Sequence, residues 1–234
     1  HSAELIQRIS PRNIYLIEND SGNLSVTNPC YPNYAIRNLY IPNGFDFILL
    51  VEDELARAIV EKIIRTNNLS QSKLCCVLPA GGCTQMLKLH HDMVTYNTLG
   101  TGKHIISIYD GDVKDLISKK KEYQNLQKCF LPIPSVEKYL KRMFVDSPNR
   151  DFIKKIGDKY FNQRALTDII NDYKNDIRTI QKKDNDGKNL YAVIVANVQK
   201  TGISESEFIK YLADDIYEYE NPIKFVQTLT KLLS

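Results

Sequence analysis

Phe45-Asp46-Phe47-Ile48-Leu49-Leu50-Val51-Glu52-Asp53-Glu54-Leu55 is the stretch on which the fold turns. Residues 45–51 are apolar except for Asp46. A run this short and this continuously apolar suits a strand buried on both faces. Three acids close it. Residues 55–65 then place apolar side chains at Leu55, Ala58, Ile59, Ile63 and Ile64, the period of an amphipathic helix. The alternation continues downstream. Residues 74–78 are predicted to form a second buried strand, ended by Pro79-Ala80-Gly81-Gly82, and 84–96 a second helix. Residues 104–109 read as a third strand and 129–133 as a short fourth. Strands alternating with helices predict βαβ units and a parallel sheet, an α/β fold.

The flanks differ from this centre. Residues 13–18 and 24–27 are strand-like pieces separated by the turn residues Asn19-Asp20-Ser21-Gly22. Asn28-Pro29-Cys30-Tyr31-Pro32-Asn33 reads as loop, because each proline removes a backbone donor and fixes φ. Beyond Ser135 the pattern is helical over 136–144, 151–160, 166–180, 190–198, 204–217 and 223–233. Residues 190–198 are rich in β-formers, yet helix is the expectation there. The chain thus divides into an N-terminal segment 1–44, an α/β unit 45–145 and a helical C-terminal region 146–234.

The 234 residues, 43% hydrophobic and 25% charged, suit one sizeable domain or two small ones. A formal net charge of +3 leaves any nucleic-acid surface to be local. Lys119-Lys120-Lys121, with Lys114 and Lys128 nearby, is one such candidate, and equally has the composition of a solvated face. No window reaches the roughly 18 apolar residues that span a bilayer. The start has no signal-peptide pattern, and the five cysteines contain no Cys-x-x-Cys spacing. Mostly buried, reduced thiols and a cytoplasmic protein with no membrane partner are expected.

Acids gather at the predicted strand ends. Glu52, Asp53 and Glu54 follow the first, Asp110 and Asp112 the third, and Ser135 and Glu137 stand just past the fourth. Ligands of open parallel sheets collect at the carboxyl ends of strands. Clustered carboxylates repel unless a cation neutralises them, and hard cations such as Mg²⁺ or Mn²⁺ prefer an all-oxygen ligand set. Four histidines without zinc-like spacing point the same way. Each acid also has a plainer reading: Asp53 and Ser135 as helix N-caps, Asp110-Gly111-Asp112 as a turn. His90-His91 reads as structural. Tyr211, Tyr217 and Tyr219 lie among Asp214, Asp215, Glu218 and Glu220, a poor surface for a phosphate backbone and a candidate partner contact.

On these residues the stretch 45–140 resembles the Toprim domain of OLD-family (overcoming lysogenization defect) ATP-dependent nucleases. The matching motifs are Leu50-Val51-Glu52, Pro79-Ala80-Gly81-Gly82, Tyr109-Asp110-Gly111-Asp112-Val113 and Pro134-Ser135-Val136-Glu137. The resemblance implies a Toprim-like parallel sheet and a metal-dependent endonuclease that hydrolyses phosphodiester bonds of nucleic acid, DNA above all, in antiphage defence. It implies Glu52, Asp110 and Asp112 as catalytic residues, and Glu52, Glu54, Asp110, Asp112 and Glu137 as ligands of Mg²⁺ or Mn²⁺. It also implies a late lysine beside the transition-state phosphate, for which Lys200 is the candidate, with Lys210 behind it, and a homo-oligomeric assembly. Ala56 stands where the family carries a second metal-binding glutamate, which puts a second metal in doubt; Glu54 is the substitute. His1-Ser2-Ala3-Glu4-Leu5-Ile6 resembles the switch histidine of ABC-type ATPases and the segment after it, so an ATPase region of the same polypeptide is the expected partner.

Residues 48–54 also resemble the start of a phosphoacceptor receiver domain, with Asp110 as acceptor. Gly111-Asp112 after that residue, the Gly81-Gly82 turn and the helical tail depart from the receiver pattern. A non-catalytic interaction module that keeps the fold and has lost a metal is the third reading, motivated by Ala56.

Overall fold

Four parallel strands form the central sheet: β3 (Phe47–Val51), β4 (Cys75–Pro79), β5 (His104–Tyr109) and β6 (Lys128–Phe130), in the order β4-β3-β5-β6. The computed structural model describes residues 6, 8–20, 23–30, 45–69, 74–97, 104–120, 123–176 and 183–234. The histidine motif at residues 1–5, the loop residues 31–33, Lys121 and the end of the helix expected over 166–180 lie outside the described residues.

Two helices follow the first strands: α1 (Glu54–Thr66) after β3 and α2 (Cys83–Thr95) after β4. The strands then alternate cleanly between two cores. Phe47, Leu49, Val51, Ile106 and Ile108 join the cluster that includes Leu55, Ile59 and Ile63 of α1. Leu50, Ile105 and Tyr109 join Met86 and Leu87 of α2, together with Ile117 of α3 (Lys114–Ser118). A parallel sheet covered on both faces needs apolar residues at nearly every position, which is why residues 45–51 read as an unbroken run. One polar pair is admitted on the α2 side: His90 Nδ1 and Ser107 Oγ lie 2.8 Å apart, both buried. Burial, aided by the positive charges of Lys128 and His91, lowers the His90 pKa to about 4.

The C-terminal region is helical. It comprises α4 (Val136–Lys141), continued by a π-helical turn at Arg142–Asp146, then α5 (Arg150–Tyr160), α6 (Leu166–Asn175), α7 (Lys188–Gln199), α8 (Glu205–Glu220) and α9 (Ile223–Leu233). Residues 190–198 are helical, as expected. Phe152, Ile156, Leu190, Ile194, Phe208, Leu212 and Leu229 belong to the same cluster as the α1 face of the sheet. The C-terminal helices and the α1 face of the sheet therefore share one core.

The acidic stretch of α8 proves to be an internal contact. Asp214 pairs with Lys62 of α1 at 2.8 Å, and Glu218 with Lys155 of α5 at 2.8 Å. Asp215, 1% exposed, accepts from Lys159 and from the Tyr160 hydroxyl. The acids tie α8 to its own neighbours, where the sequence suggested an outside partner.

A separate hairpin pairs β1 (Leu16–Asp20) antiparallel with β2 (Asn23–Thr27). It starts later than the strand expected at 13–18, because Pro11 opens a 3-10 turn at Pro11–Asn13. Asn28 Nδ2 donates to the carbonyls of Arg12 and Ile14 at 3.0 and 2.8 Å. Burial of the cysteines also differs from expectation. Cys30 and Cys129 are buried, while Cys75, Cys76 and Cys83 are only half-buried; none of the five is in a disulfide. No described helix is long and apolar enough to cross a membrane.

Candidate active site

β3 connects outward to β4 on one side, and the chain then crosses back to lay β5 on the other side of β3. At such a reversal the two connecting helices leave on opposite faces and open a crevice at the carboxyl ends of the strands. Glu52 is the residue after β3 and Asp110 the residue after β5. Since Leu50 is in register with Ser107, Glu52 and Asp110 stand on adjacent strand ends, where strands lie about 4.8 Å apart.

The neighbouring turns are fitted closely round them. Ala80 N donates to Val51 O at 2.8 Å and Gly81 N to Glu52 O at 3.1 Å, so the Gly81-Gly82 turn wraps the end of β3. Gly81 has φ of +88°, a conformation that favours glycine. Gly111 N donates to Ile133 O at 2.8 Å. A Cβ on Gly111 would lie 2.7 Å from the carbonyl oxygens of both Leu131 and Ile133, which only glycine tolerates. That close approach carries the chain into Ser135, whose side chain caps α4 by accepting from Lys138 N, and sets Glu137 in the first turn. Asp53 caps α1, accepting from Ala56 N at 2.8 Å. The capping readings and the site readings of these acids thus coexist.

The electrostatics follow from crowding. Asp110 is 6% exposed, and its pKa is pushed up to about 8 by burial and then by the charges of Glu52, Asp53, Asp112 and Glu137. Glu52 is raised chiefly by burial, partly offset by the backbone N–H groups of Asp110 and Cys83. Glu137, 8% exposed, is raised by burial too. One carboxylate oxygen on each of Glu52 and Glu137 is buried without a hydrogen-bond partner. Buried unpaired carboxylate oxygens are costly, and this crevice holds two.

Asp112 has a different environment. Its carboxylate accepts from the Lys138 ammonium, a partly exposed ion pair. Among the described residues, no three or more Asp, Glu, His or Cys side chains form a group that could hold a metal ion in this arrangement. The donors are gathered but not converged.

We found no family model, curated protein or solved structure that matches the chain.

Two of the expected site residues lie elsewhere. Glu54 is one residue into α1, exposed, and paired with Arg57 at 3.5 Å; it takes no part in the carboxylate group. Ala56 is buried in the core, so α1 presents no second acid there. Lys200 is the C-cap of α7, with its Nζ 3.4 Å from Asn197 Oδ1. The other end of α7 adjoins the site, because Gly187 (φ +76°) packs so tightly that a Cβ there would lie 2.3 Å from Glu137 O. Twelve helical residues, rising about 18 Å, separate Lys200 from that end. Besides Lys138, Lys188 at that end lies near the acids, and its charge partly offsets the rise in the Glu137 pKa.

Three groups at the site carried no earlier assignment: Asp53 as a charge partner, Lys188, and Tyr191, whose hydroxyl is buried, unpartnered and coupled to Glu137 and Asp53. The turn Asp184-Asn185-Asp186-Gly187 immediately before Lys188 was the available signal. Within the basic run, Lys128 is committed internally, donating to the carbonyls of Tyr123, Gln124 and Leu126.

Proposed function

We propose that the chain is a Toprim-type nuclease, dependent on Mg²⁺ or Mn²⁺, that hydrolyses phosphodiester bonds of DNA. The observation that supports it most is the pair of buried, unpartnered carboxylate oxygens on Glu52 and Glu137 flanking an Asp110 that burial and like charge push toward protonation. Such a group is relieved by a cation, and its all-oxygen chemistry fits a hard divalent one. Glu52, Asp110 and Glu137 would hold the ion, with Asp112 joining them. When bound, the ion supplies a Lewis acid for the phosphate and a lowered pKa for attacking water.

The chain's own residues supply the rest. Asp110 would release to solvent, as the ion binds, the proton that burial favours. The N-terminus of α2 orients Glu52 through the Cys83 N–H. Lys188, at the start of α7 near Glu137, would take the role that the resemblance assigns to a late lysine. The Tyr191 hydroxyl offers a donor on the same side. One set of ligands is present and a second is not, since Ala56 is core.

The test is cleavage of plasmid DNA with Mg²⁺ or Mn²⁺. Glu52→Ala should lower the rate at least about 10²-fold while leaving the melting temperature within a few degrees. Retained cleavage removes Glu52 from the mechanism. The strand order β4-β3-β5-β6 also matches the first four strands of the receiver order, which favours the second reading of Asp110 as a phosphoacceptor. Acid-stable mass gain from a small phosphodonor, abolished by Asp110→Asn, would establish that reading in place of the nuclease.

A further inference from the structure

The two sides of the molecule treat their cations differently. On the side of α1 and the C-terminal helices, cations are held in pairs: Arg57 with Glu54 and Glu61, Lys62 and Arg65 with Asp214, Lys155 and Lys159 with Asp215. On the other side, α2, α3 and the two residues after α3 carry four lysines, Lys88, Lys114, Lys119 and Lys120, against two aspartates, Asp92 and Asp115. Among the described residues, none of these four lysines makes an ion pair. Lys88, Lys114 and Lys119 are exposed, and Lys120 is half-buried. The two helices form one surface: Met86 and Leu87 of α2 share a buried cluster with Ile117 of α3, and His91 of α2 meets Tyr123 edge to face at 5.2 Å, just past the lysines. Uncompensated charge of one sign on a single surface raises the local potential and attracts polyanions.

This surface begins at the mouth of the crevice. Lys114 is the first residue of α3, directly after the 3-10 turn Gly111–Val113 that carries Asp112. The five residues of α3 rise about 7.5 Å, and Lys119 and Lys120 follow. Lys188 stands on the opposite bank, since α7 packs into the core on the α1 face. We propose that the α2–α3 surface binds the phosphate backbone of DNA, with Lys114, Lys119 and Lys120 as its contacts and Lys88 at its margin. The choice of DNA rests on the nuclease reading; the surface itself depends on no bound ion. The acids of the crevice repel a phosphate backbone, and a cationic bank that starts beside them offsets that repulsion. Such contacts position a duplex without reading its sequence, and each phosphate neutralised releases counterions, so the binding weakens steeply with salt.

The experiment is fluorescence anisotropy of a short labelled DNA duplex titrated with the whole chain in EDTA, from low to physiological salt. The triple variant Lys114→Gln, Lys119→Gln, Lys120→Gln should bind at least about tenfold more weakly at low salt, and flatten the slope of log affinity against log salt by about 2–3. The same three positions changed to arginine should stay within about twofold of the wild type, because arginine keeps the charge. Lys210→Gln, Lys224→Gln and Lys231→Gln remove equal charge from exposed positions of α8 and α9, and should also stay within about twofold. An equal loss in that control overturns the inference, since net charge alone would then govern binding. So does a wild type that binds no duplex at low salt, undiminished binding by the glutamine triple, or an equal loss in the arginine triple. Displacement of the duplex by poly-glutamate as readily as by unlabelled duplex would make this a surface for acidic protein instead. Binding through these lysines without cleavage in Mg²⁺ or Mn²⁺ removes the nuclease reading and leaves the DNA surface standing. Cleavage with unaltered binding by the glutamine triple does the reverse.

Discussion

Asp110 is the residue that shows what the crevice costs when empty of counter-charge. An unfolded aspartate titrates near its ordinary 3.8, whereas burial and four neighbouring acids push Asp110 to about 8. The folded chain therefore holds an extra proton between roughly pH 4 and pH 8, and loses stability as pH rises through that window. The loss contributed by this one group is bounded at roughly 6 kcal/mol. In chelator, Asp110→Asn should match the wild type near pH 4 and be more stable by several degrees of melting temperature at pH 8. Equal melting curves at pH 8 would show that the proton is not held. Residue types in order along the chain were enough to expect Glu52, Asp110, Asp112 and Glu137 in one group. Glu54 failed because one step along a helix turns a side chain by about 100°, and a capping residue at Asp53 sends the next one outward.

At the scale of elements, the site is made by close backbone approaches more than by the acids themselves. Gly111 admits the 131–133 chain, and Gly187 seats the start of α7 on α4. Gly111→Ala places a methyl against two carbonyl oxygens and should destabilise the chain by about 1–3 kcal/mol, seen as a lowered urea midpoint. It should also separate Asp110 from Glu137, so metal affinity falls along with stability. An unchanged midpoint would mean that the segment shifts freely. These approaches explain what the sequence left hidden. Periodicity reveals that residues 190–198 form a helix with a buried face. It does not say which end of that helix meets the acids. Packing decides that, through a glycine whose neighbour lies about 50 residues earlier in the chain.

For the whole molecule, one buried cluster runs across the change of pattern near residue 145. Phe47, Leu49, Val51, Ile106 and Ile108 of the sheet are covered by α1 and by helices that run to Leu233. A fragment of residues 45–145 would keep α1 but expose to water the parts of this core that the later helices cover, with each large apolar side chain worth about 1.5–3 kcal/mol. It should lack near-ultraviolet circular dichroism and slow amide exchange; a cooperatively melting fragment would show that the α/β unit stands alone. The change of pattern at Ser135 was legible, yet pattern alone cannot separate a second domain from a second layer on the same sheet.

The capping arrangement has one more consequence. Asp53 takes the Ala56 N–H, one of the free donors of the first turn of α1, and Glu52 lies against the start of α2 at Cys83. Two thirteen-residue helices thus turn the positive ends of their dipoles toward the acids. Part of the repulsion is absorbed by the scaffold before any ion arrives. An ion held here, as proposed, would be a tenant and not a rivet: it could come and go while the architecture around it stays standing.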